Sequence, residues 1–208
     1  MTISEPSTLL TDYLLAAVAF ALGARLWVGA ATAAASARRL WAAAFLAGGA
    51  AAAAGGTVHG FRTSLAPSLE KALWSGCLMA AALAGALLVA GAACHVLQGA
   101  GRSSVLVGVT LVLIVQLGVL FVEPVTRHAV WAGAFWIAAL LALVASSAAG
   151  RGALLAPLAL GLALVGAGLV LQRAGWSLHA HFNHNDVAHV LMTAALWPFY
   201  RAGLRLRN

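Results

Sequence analysis

The chain has 208 residues, of which 63% are hydrophobic and 8% are charged, and its mean hydropathy is +0.97. This composition excludes an ordinary water-soluble fold and is typical of an integral membrane protein. The net charge of +7 does not indicate a nucleic-acid partner, because the arginines are scattered singly or in pairs between apolar runs instead of forming one basic face.

The apolar runs are long enough for α-helical spans of about 20 residues, and they lack the alternating pattern of barrel strands. They predict an all-α polytopic membrane protein with seven transmembrane helices in a single domain, residues 1–208. The connections are short, and no internal repeat is visible. The predicted spans are residues 9–31, 39–60, 70–96, 104–122, 127–149, 153–172 and 183–202.

The basic residues predict the orientation of the helices, because cytoplasmic loops collect Lys and Arg. With the N-terminus outside and the C-terminus inside, eight of the 12 basic residues lie on the inner side and four on the outer side. We therefore expect a plasma (inner) membrane protein whose acidic residues and histidines, except His95, face the extracytoplasmic side. The inner group is Arg25, Arg38, Arg39, Arg102, Arg151, Arg201, Arg205 and Arg207, and the outer group is Arg62, Lys71, Arg127 and Arg173.

The second predicted span is rich in small residues and ends in a histidine. Glycine pairs at 48–49 and 55–56 flank the alanines at 50–54 and precede Thr57-Val58-His59-Gly60. Small residues let helix backbones approach closely in lipid, so this helix is expected near the centre of the bundle. The glycines beside His59 leave room either for a ligand or for a neighbouring backbone.

Most of the histidines lie in or just before the start of the seventh span. At about 100° per residue, Asp186 and His189 share one stripe of the helix with Asn185 and Thr193, whereas His184 lies about 140° from His189. His181 joins this stripe if the helix begins early. Four of the seven histidines, together with one of the five acidic residues, fall within residues 179–189.

Two roles are open for the polar residues of this segment. Asn183 followed by Asp186 fits a helix N-cap with an acid in the first turn, and this role does not exclude another for Asp186. His189 lies nearly two turns into the span, where ionisable groups are costly and usually line a cavity or bind a ligand.

Asp12, His59, Asp186 and His189 are predicted at similar depth in the membrane. Carboxylates and neutral imidazoles in one pocket suit Zn²⁺, which takes three protein ligands and leaves a position for an activated water. His59 and His189 are the first candidate ligands, and His181 or His184 would complete the set through a non-helical turn. Asp186 or Asp12 would act as the general base or would orient a ligand.

At these residues the chain resembles the CREST superfamily of seven-span membrane hydrolases, which includes alkaline ceramidases and the progestin/adipoQ receptors. The resemblance implies a zinc site, with His59 matching the histidine of the second span and His189 the later histidine of a His-x-x-x-His pair in the seventh. The earlier histidine of the pair falls at Asn185, and the serine expected four residues before His59 falls at Gly55.

The favoured hypothesis is a zinc-dependent hydrolase that acts on a lipid amide or ester, with membrane lipids as its surroundings and its substrate source. One alternative is a transporter or channel whose outer vestibule uses the same groups, although ionisable residues become scarce beyond the outer half. Another is a haem-binding or other cofactor-binding protein with His59 and His189 as ligands. The sequence does not give the substrate or the oligomeric state.

Overall fold

The computed structural model describes residues 3–30, 36–148, 151–179 and 181–206. Within these residues the fold is all-α, as predicted, with seven helices joined by short connections. A 3-10 turn at Arg62–Ser64 follows the second helix, and a π-helical turn at Arg151–Leu155 precedes the sixth. The helices are α1 Pro6–Val28, α2 Ser36–Phe61, α3 Pro67–Val96, α4 Gly99–Val122, α5 Thr126–Ala145, α6 Ala156–Arg173 and α7 His184–Leu204.

Each predicted span corresponds to one of these helices. The largest shift is at the start of α4, which begins at Gly99 instead of residue 104. The predicted ends at residues 31 and 149, and Arg207 at the C-terminus, lie outside the described residues.

Six of the described helices, α1 to α6, are long and apolar enough to cross a membrane, which indicates a membrane protein. The surface of α4 agrees with this conclusion, because Leu120 is its one buried residue and its exposed side chains include Leu111, Ile114 and Val115. α7 is less apolar and is not among the six, since its first turns carry Asp186 and His189.

Proline and glycine mark several helix boundaries. Pro6 and Pro67 stand in the first turns of α1 and α3, where the missing N–H of proline removes no helical hydrogen bond. Gly99 and Gly175 have positive φ angles of 55° and 65°, a conformation that glycine adopts without steric cost. Gly99 lies at the start of α4 and Gly175 just after α6, so both allow the chain to reverse direction.

The first turn of α7 is closed by the predicted cap. The backbone N–H of Asn183 donates to Asp186 Oδ2 over 2.6 Å, and the N–H of Asn185 donates to Asn183 Oδ1 over 2.7 Å. This reciprocal arrangement satisfies N–H groups that have no partner within the helix. The capping interpretation of Asn183 and Asp186 is therefore confirmed.

α2 lies between α1 and α3 and also touches α7, while α7 packs against both α6 and α1. Glycines of α2 make the approach of α1 possible. A methyl group added at Gly49 would lie 2.9 Å from Phe20, and one added at Gly60 would lie 2.8 Å from Leu9. The small residues of α2 thus serve the close packing of α1 against α2.

The opposite end of the bundle, where α1 ends and α2 begins, is closed by a buried aromatic residue. Trp41 of α2 is fully buried, and its Nε1 donates to the carbonyl of Phe199 in α7 over 3.0 Å. Beside it, Arg38 donates from Nη1 to Gly29 and from Nη2 to Leu204, over 3.0 and 2.8 Å. These bonds hold α1, α2 and α7 together at that end.

Candidate functional site

The centre of the candidate site is a buried pair formed by Asp12 of α1 and His189 of α7. Asp12 Oδ1 lies 3.4 Å from His189 Nδ1, and the two side chains are 6% and 13% exposed. The hydroxyl of Thr11 lies 3.3 Å from the same ring nitrogen, and it also donates to the carbonyl of Thr8. The contact between α1 and α7 therefore creates a site that neither helix carries alone.

A second pair of the same kind lies beside the first. Glu5 Oε2, just before α1, is 3.2 Å from Nδ1 of His59 in α2, and the His59 ring meets Trp74 edge-on. His59 follows Gly56, which packs against Asp12, by three residues, or about one helical turn. In both pairs a carboxylate contacts Nδ1, and Nε2 of each ring has no hydrogen-bond partner among the described residues.

Asp186 adds a third carboxylate to this end of the bundle. Its side chain is fully buried, and one oxygen, Oδ2, is used by the cap. The other oxygen, Oδ1, and Oδ2 of Asp12 are both buried and lack a hydrogen-bond partner in the described part of the chain. A buried polar atom without a partner is costly, so two carboxylate oxygens here call for a proton or a cation.

Hydrogen bonds fix the first turns of α7 to its two neighbours. Asn183 Nδ2 donates to Thr8 Oγ1 over 3.3 Å, and Gln172 Nε2 of α6 donates to Asn185 Oδ1 over 2.8 Å. Asn185 is the position at which the resemblance to the seven-span hydrolases expects a histidine. Its side chain bonds to α6 and not to the pair formed by Asp12 and His189.

The structure thus pairs Asp12 with His189. Asp186 lies one helical turn before His189, and His59 lies one helical turn after Gly56, against which Asp12 packs. His181 lies outside this group: it is exposed, its backbone N–H donates to His179 Nδ1, and its ring contacts that of His179. His184 is half-buried in the first turn of α7 and has no described contact with the cluster. Over residues 3–30, 36–148, 151–179 and 181–206, no three His, Cys, Asp or Glu side chains form a ready metal-binding group.

Sequence reasoning did not assign a role to Glu5, Thr8, Thr11 or Gln172. A usable signal was present for two of them, since Glu5 and Thr8 precede Asp12 by seven and four residues and so lie on the same face of the first helix. Thr11 and Gln172 carry no comparable signal, because their roles depend on the contacts of α7 with α1 and α6.

An apolar cavity of about 200 Å³ lies one helical turn below the buried pair. Leu15 and Met192 in its wall follow Asp12 and His189 by three residues each, toward the middle of the bundle. The other lining residues come from α1, α2, α3, α6 and α7 and include Ala19, Phe45, Leu88 and Phe199. The lining suits a hydrocarbon chain, and two of its residues lie one helical turn from Asp12 and His189.

Fold and site together define a polytopic α-helical membrane protein with a buried cluster of carboxylates and imidazoles at one end of its bundle. The chain belongs to DUF6962, a family of unknown function, whose sequence profile matches residues 7–208. Comparison with curated proteins gave no match, and neither did comparison with solved structures.

Proposed function

We propose that the chain is a metal-dependent hydrolase that acts within the membrane on an amide or ester bond of a lipid. The observation that carries this proposal is the repeated carboxylate–histidine contact. Glu5 and Asp12 each approach Nδ1 of a histidine, and Nε2 of both rings is left for another partner. Metal-binding histidines usually have this arrangement, because the carboxylate fixes the tautomer and the orientation of the ring.

The donor atoms fit a zinc ion in chemistry and number. His59 and His189 would bind through Nε2, and Asp186 would bind through Oδ1, the buried oxygen that its cap leaves without a partner. Because the described side chains do not form a ready three-ligand group, binding would have to draw them together. Bound zinc would polarise a carbonyl group and activate water at neutral pH.

Asp12 would have two functions in this scheme. Through Oδ1 it holds the ring of His189, and its buried Oδ2 has no partner, so that oxygen can accept a proton from water or donate one to a leaving group. Thr11 contacts the same histidine nitrogen and restrains the ring further. Asp12 is therefore assigned both to positioning and to proton transfer.

The apolar cavity supports a lipid as the substrate. A hydrocarbon chain in the space between Leu15 and Met192 would place its polar end at Asp12 and His189. The apolar lining argues against the continuous polar path that a transporter needs. We place α7 as the seventh span and the cluster on the extracytoplasmic side of a plasma (inner) membrane, on the basis of the arginine distribution.

The proposal is tested on purified protein by elemental analysis, an absorption spectrum and hydrolysis of defined amide and ester lipids. We expect zinc in the wild-type protein, its loss on chelation together with loss of hydrolysis, and recovery of both when zinc is returned. His189→Ala should remove metal and activity, whereas His128→Ala, a histidine at the start of α5 outside the cluster, should change neither. A haem spectrum, or hydrolysis that survives complete metal removal, would contradict the proposal.

A further inference from the structure

A second cavity, distinct from the apolar one, lies where α2 ends and α3 and α5 begin. Its volume is about 400 Å³. His59 forms part of its wall, so this cavity adjoins the cluster of carboxylates and imidazoles. The lining side chains that carry the argument are His59, Arg62, Glu70, Lys71, Trp74 and Thr126.

The fixed charges of this cavity are unbalanced in favour of cations. Arg62 Nε lies 2.9 Å from Glu70 Oε1, so one cation is paired with the one carboxylate in the lining. Lys71, the single lysine of the chain, has no partner among the described residues. A guanidinium has five N–H donors, and the contact through Nε does not exhaust those of Arg62. One cation more than carboxylates gives the cavity a net positive charge.

Two helix ends reinforce this charge. α3 begins at Pro67 and α5 at Thr126, both in the cavity wall, and neither N-terminus is capped by a side chain. The N-terminus of a helix carries partial positive charge. The hydroxyl of Thr126 adds a further donor, while Trp74, edge-on to His59, supplies an apolar wall.

We propose that this cavity binds a phosphate group. A phosphate presents several acceptor oxygens and can therefore contact Arg62, Lys71 and Thr126 at once. A neutral ligand would leave the charge of Lys71 without a counter-charge. The cavity also lies at the ends of three helices that are apolar enough to cross a membrane, and this is the level at which lipid phosphates lie. The phosphate belongs either to a lipid headgroup or to a soluble compound.

This inference goes beyond the proposed hydrolysis and does not depend on a bound metal. If the hydrolase proposal and the phosphate site both hold, the cavity selects lipids that carry a phosphate. His59 links the two sites, because it lines the cavity and also contacts Glu5 of the cluster. Phosphate binding is measured without turnover, so it can fail while the hydrolase proposal holds, and the reverse is also true.

The first experiment uses the full chain in lauryl maltoside micelles free of phospholipid. Inorganic phosphate is titrated at low ionic strength and binding is followed by calorimetry. We expect saturable binding that weakens about fivefold in Lys71→Gln. Arg173→Gln is the matched control, since Arg173 is an exposed cation in the last turn of α6 and does not line the cavity. Its affinity should stay within about twofold of wild type.

A variant that is expected to bind phosphate more tightly excludes misfolding as the cause of the loss in Lys71→Gln. Glu70→Gln removes the carboxylate that competes for Arg62, so phosphate affinity should increase, by about threefold. A loss of folding cannot produce a gain in affinity. An equal loss in Lys71→Gln and Arg173→Gln, or a Glu70→Gln affinity that does not rise, would overturn the proposal.

The second experiment identifies the source of the phosphate. The protein is offered phosphatidic acid or diacylglycerol with identical acyl chains, and retained lipid is counted by native mass spectrometry. A preference for phosphatidic acid that Lys71→Gln removes indicates a lipid headgroup. Binding of inorganic phosphate without that preference indicates a soluble phosphate compound. Absence of both inorganic phosphate binding and lipid preference would refute the site.

Discussion

Gly56 of α2 lies directly against Asp12 of α1, so that a methyl group added at Gly56 would stand 2.8 Å from Asp12 Cβ. The neighbouring Gly55 has more room, since the same addition would meet Cys77 Sγ at 3.4 Å and Asp12 Oδ2 at 3.8 Å. Gly56→Ala should therefore push α1 away and destabilise the fold by about 1–3 kcal/mol. Gly55→Ala should be tolerated.

Thermal unfolding of the two variants side by side tests this prediction. They are matched in chemistry and adjacent in sequence, so a difference between them reports the local contact with Asp12. Equal melting temperatures would mean that α1 and α2 are not packed at this point as the structure has them.

Gly55→Ser tests the unpartnered oxygen of Asp12. The added hydroxyl fits the space beside Asp12 Oδ2 and could donate to it, and a net hydrogen bond is worth about 1 kcal/mol. We expect Gly55→Ser to be more stable than Gly55→Ala when both are measured in the presence of a chelator. A serine variant no more stable than the alanine variant would show that Asp12 Oδ2 already has a partner.

Asp186 is expected to combine capping with ligand binding, and Asp186→Asn separates the two. The amide oxygen can still accept the N–H of Asn183, so stability should fall by no more than about 1 kcal/mol, while metal retention should fall strongly because the charge is lost. Elemental analysis and thermal unfolding of the same preparations measure both effects.

Asn183→Ala is the comparison for that variant. It removes the cap and the bond to Thr8, at a cost of about 1 kcal/mol or slightly more, but it leaves every proposed ligand in place. Metal content should therefore be retained although the melting temperature falls. If Asp186→Asn also retains metal and loses only stability, then Asp186 is a cap and nothing else.

The histidines of the α6–α7 connection and of α7 should differ sharply in importance. His189→Ala removes the ring held by Asp12, so metal and hydrolysis should both disappear while the bundle stays assembled. His181→Ala should have little effect, because its side chain is exposed and, among the described residues, contacts that of His179. Metal content and size-exclusion profiles of both proteins decide the matter, and a loss of metal in His181→Ala would move the site toward the connecting segment.

The orientation can be tested by labelling in intact cells. In a background without Cys77 and Cys94, Ser64→Cys should react with an impermeant maleimide from outside, and Ser103→Cys should react only after lysis. Both serines are exposed and lie at opposite ends of the bundle. The reverse pattern would place the carboxylates and imidazoles at the cytoplasmic face and contradict the arginine rule for this chain.

The helices were predictable because apolar length and boundary residues are local properties of the sequence. The cap at Asn183 and Asp186 was predictable for the same reason, since its partners lie three residues apart. Which side chains pair between helices was not predictable in this way. Asp12 and His189 are separated by most of the chain, and their contact depends on α1 packing against α7, which no local pattern encodes.

Asn185 and Gln172 show a further limit. Helical spacing predicted that Asn185 shares one face of the helix with Asp186 and His189, and these three residues do lie in one regular helix. The side chain of Asn185 nevertheless bonds to Gln172, because α7 packs against both α6 and α1 and Asn185 lies on the side that contacts α6. Predicting which neighbour receives which side chain requires the order of the helices around the bundle.

Trp41 is enclosed by Gly91 on one side and Gly203 on the other, and it fills the end of the bundle at which α1 ends and α2 begins. Because α3 and α7 both approach the indole ring this closely, no space is left beside Trp41 for a ligand at that end of the bundle.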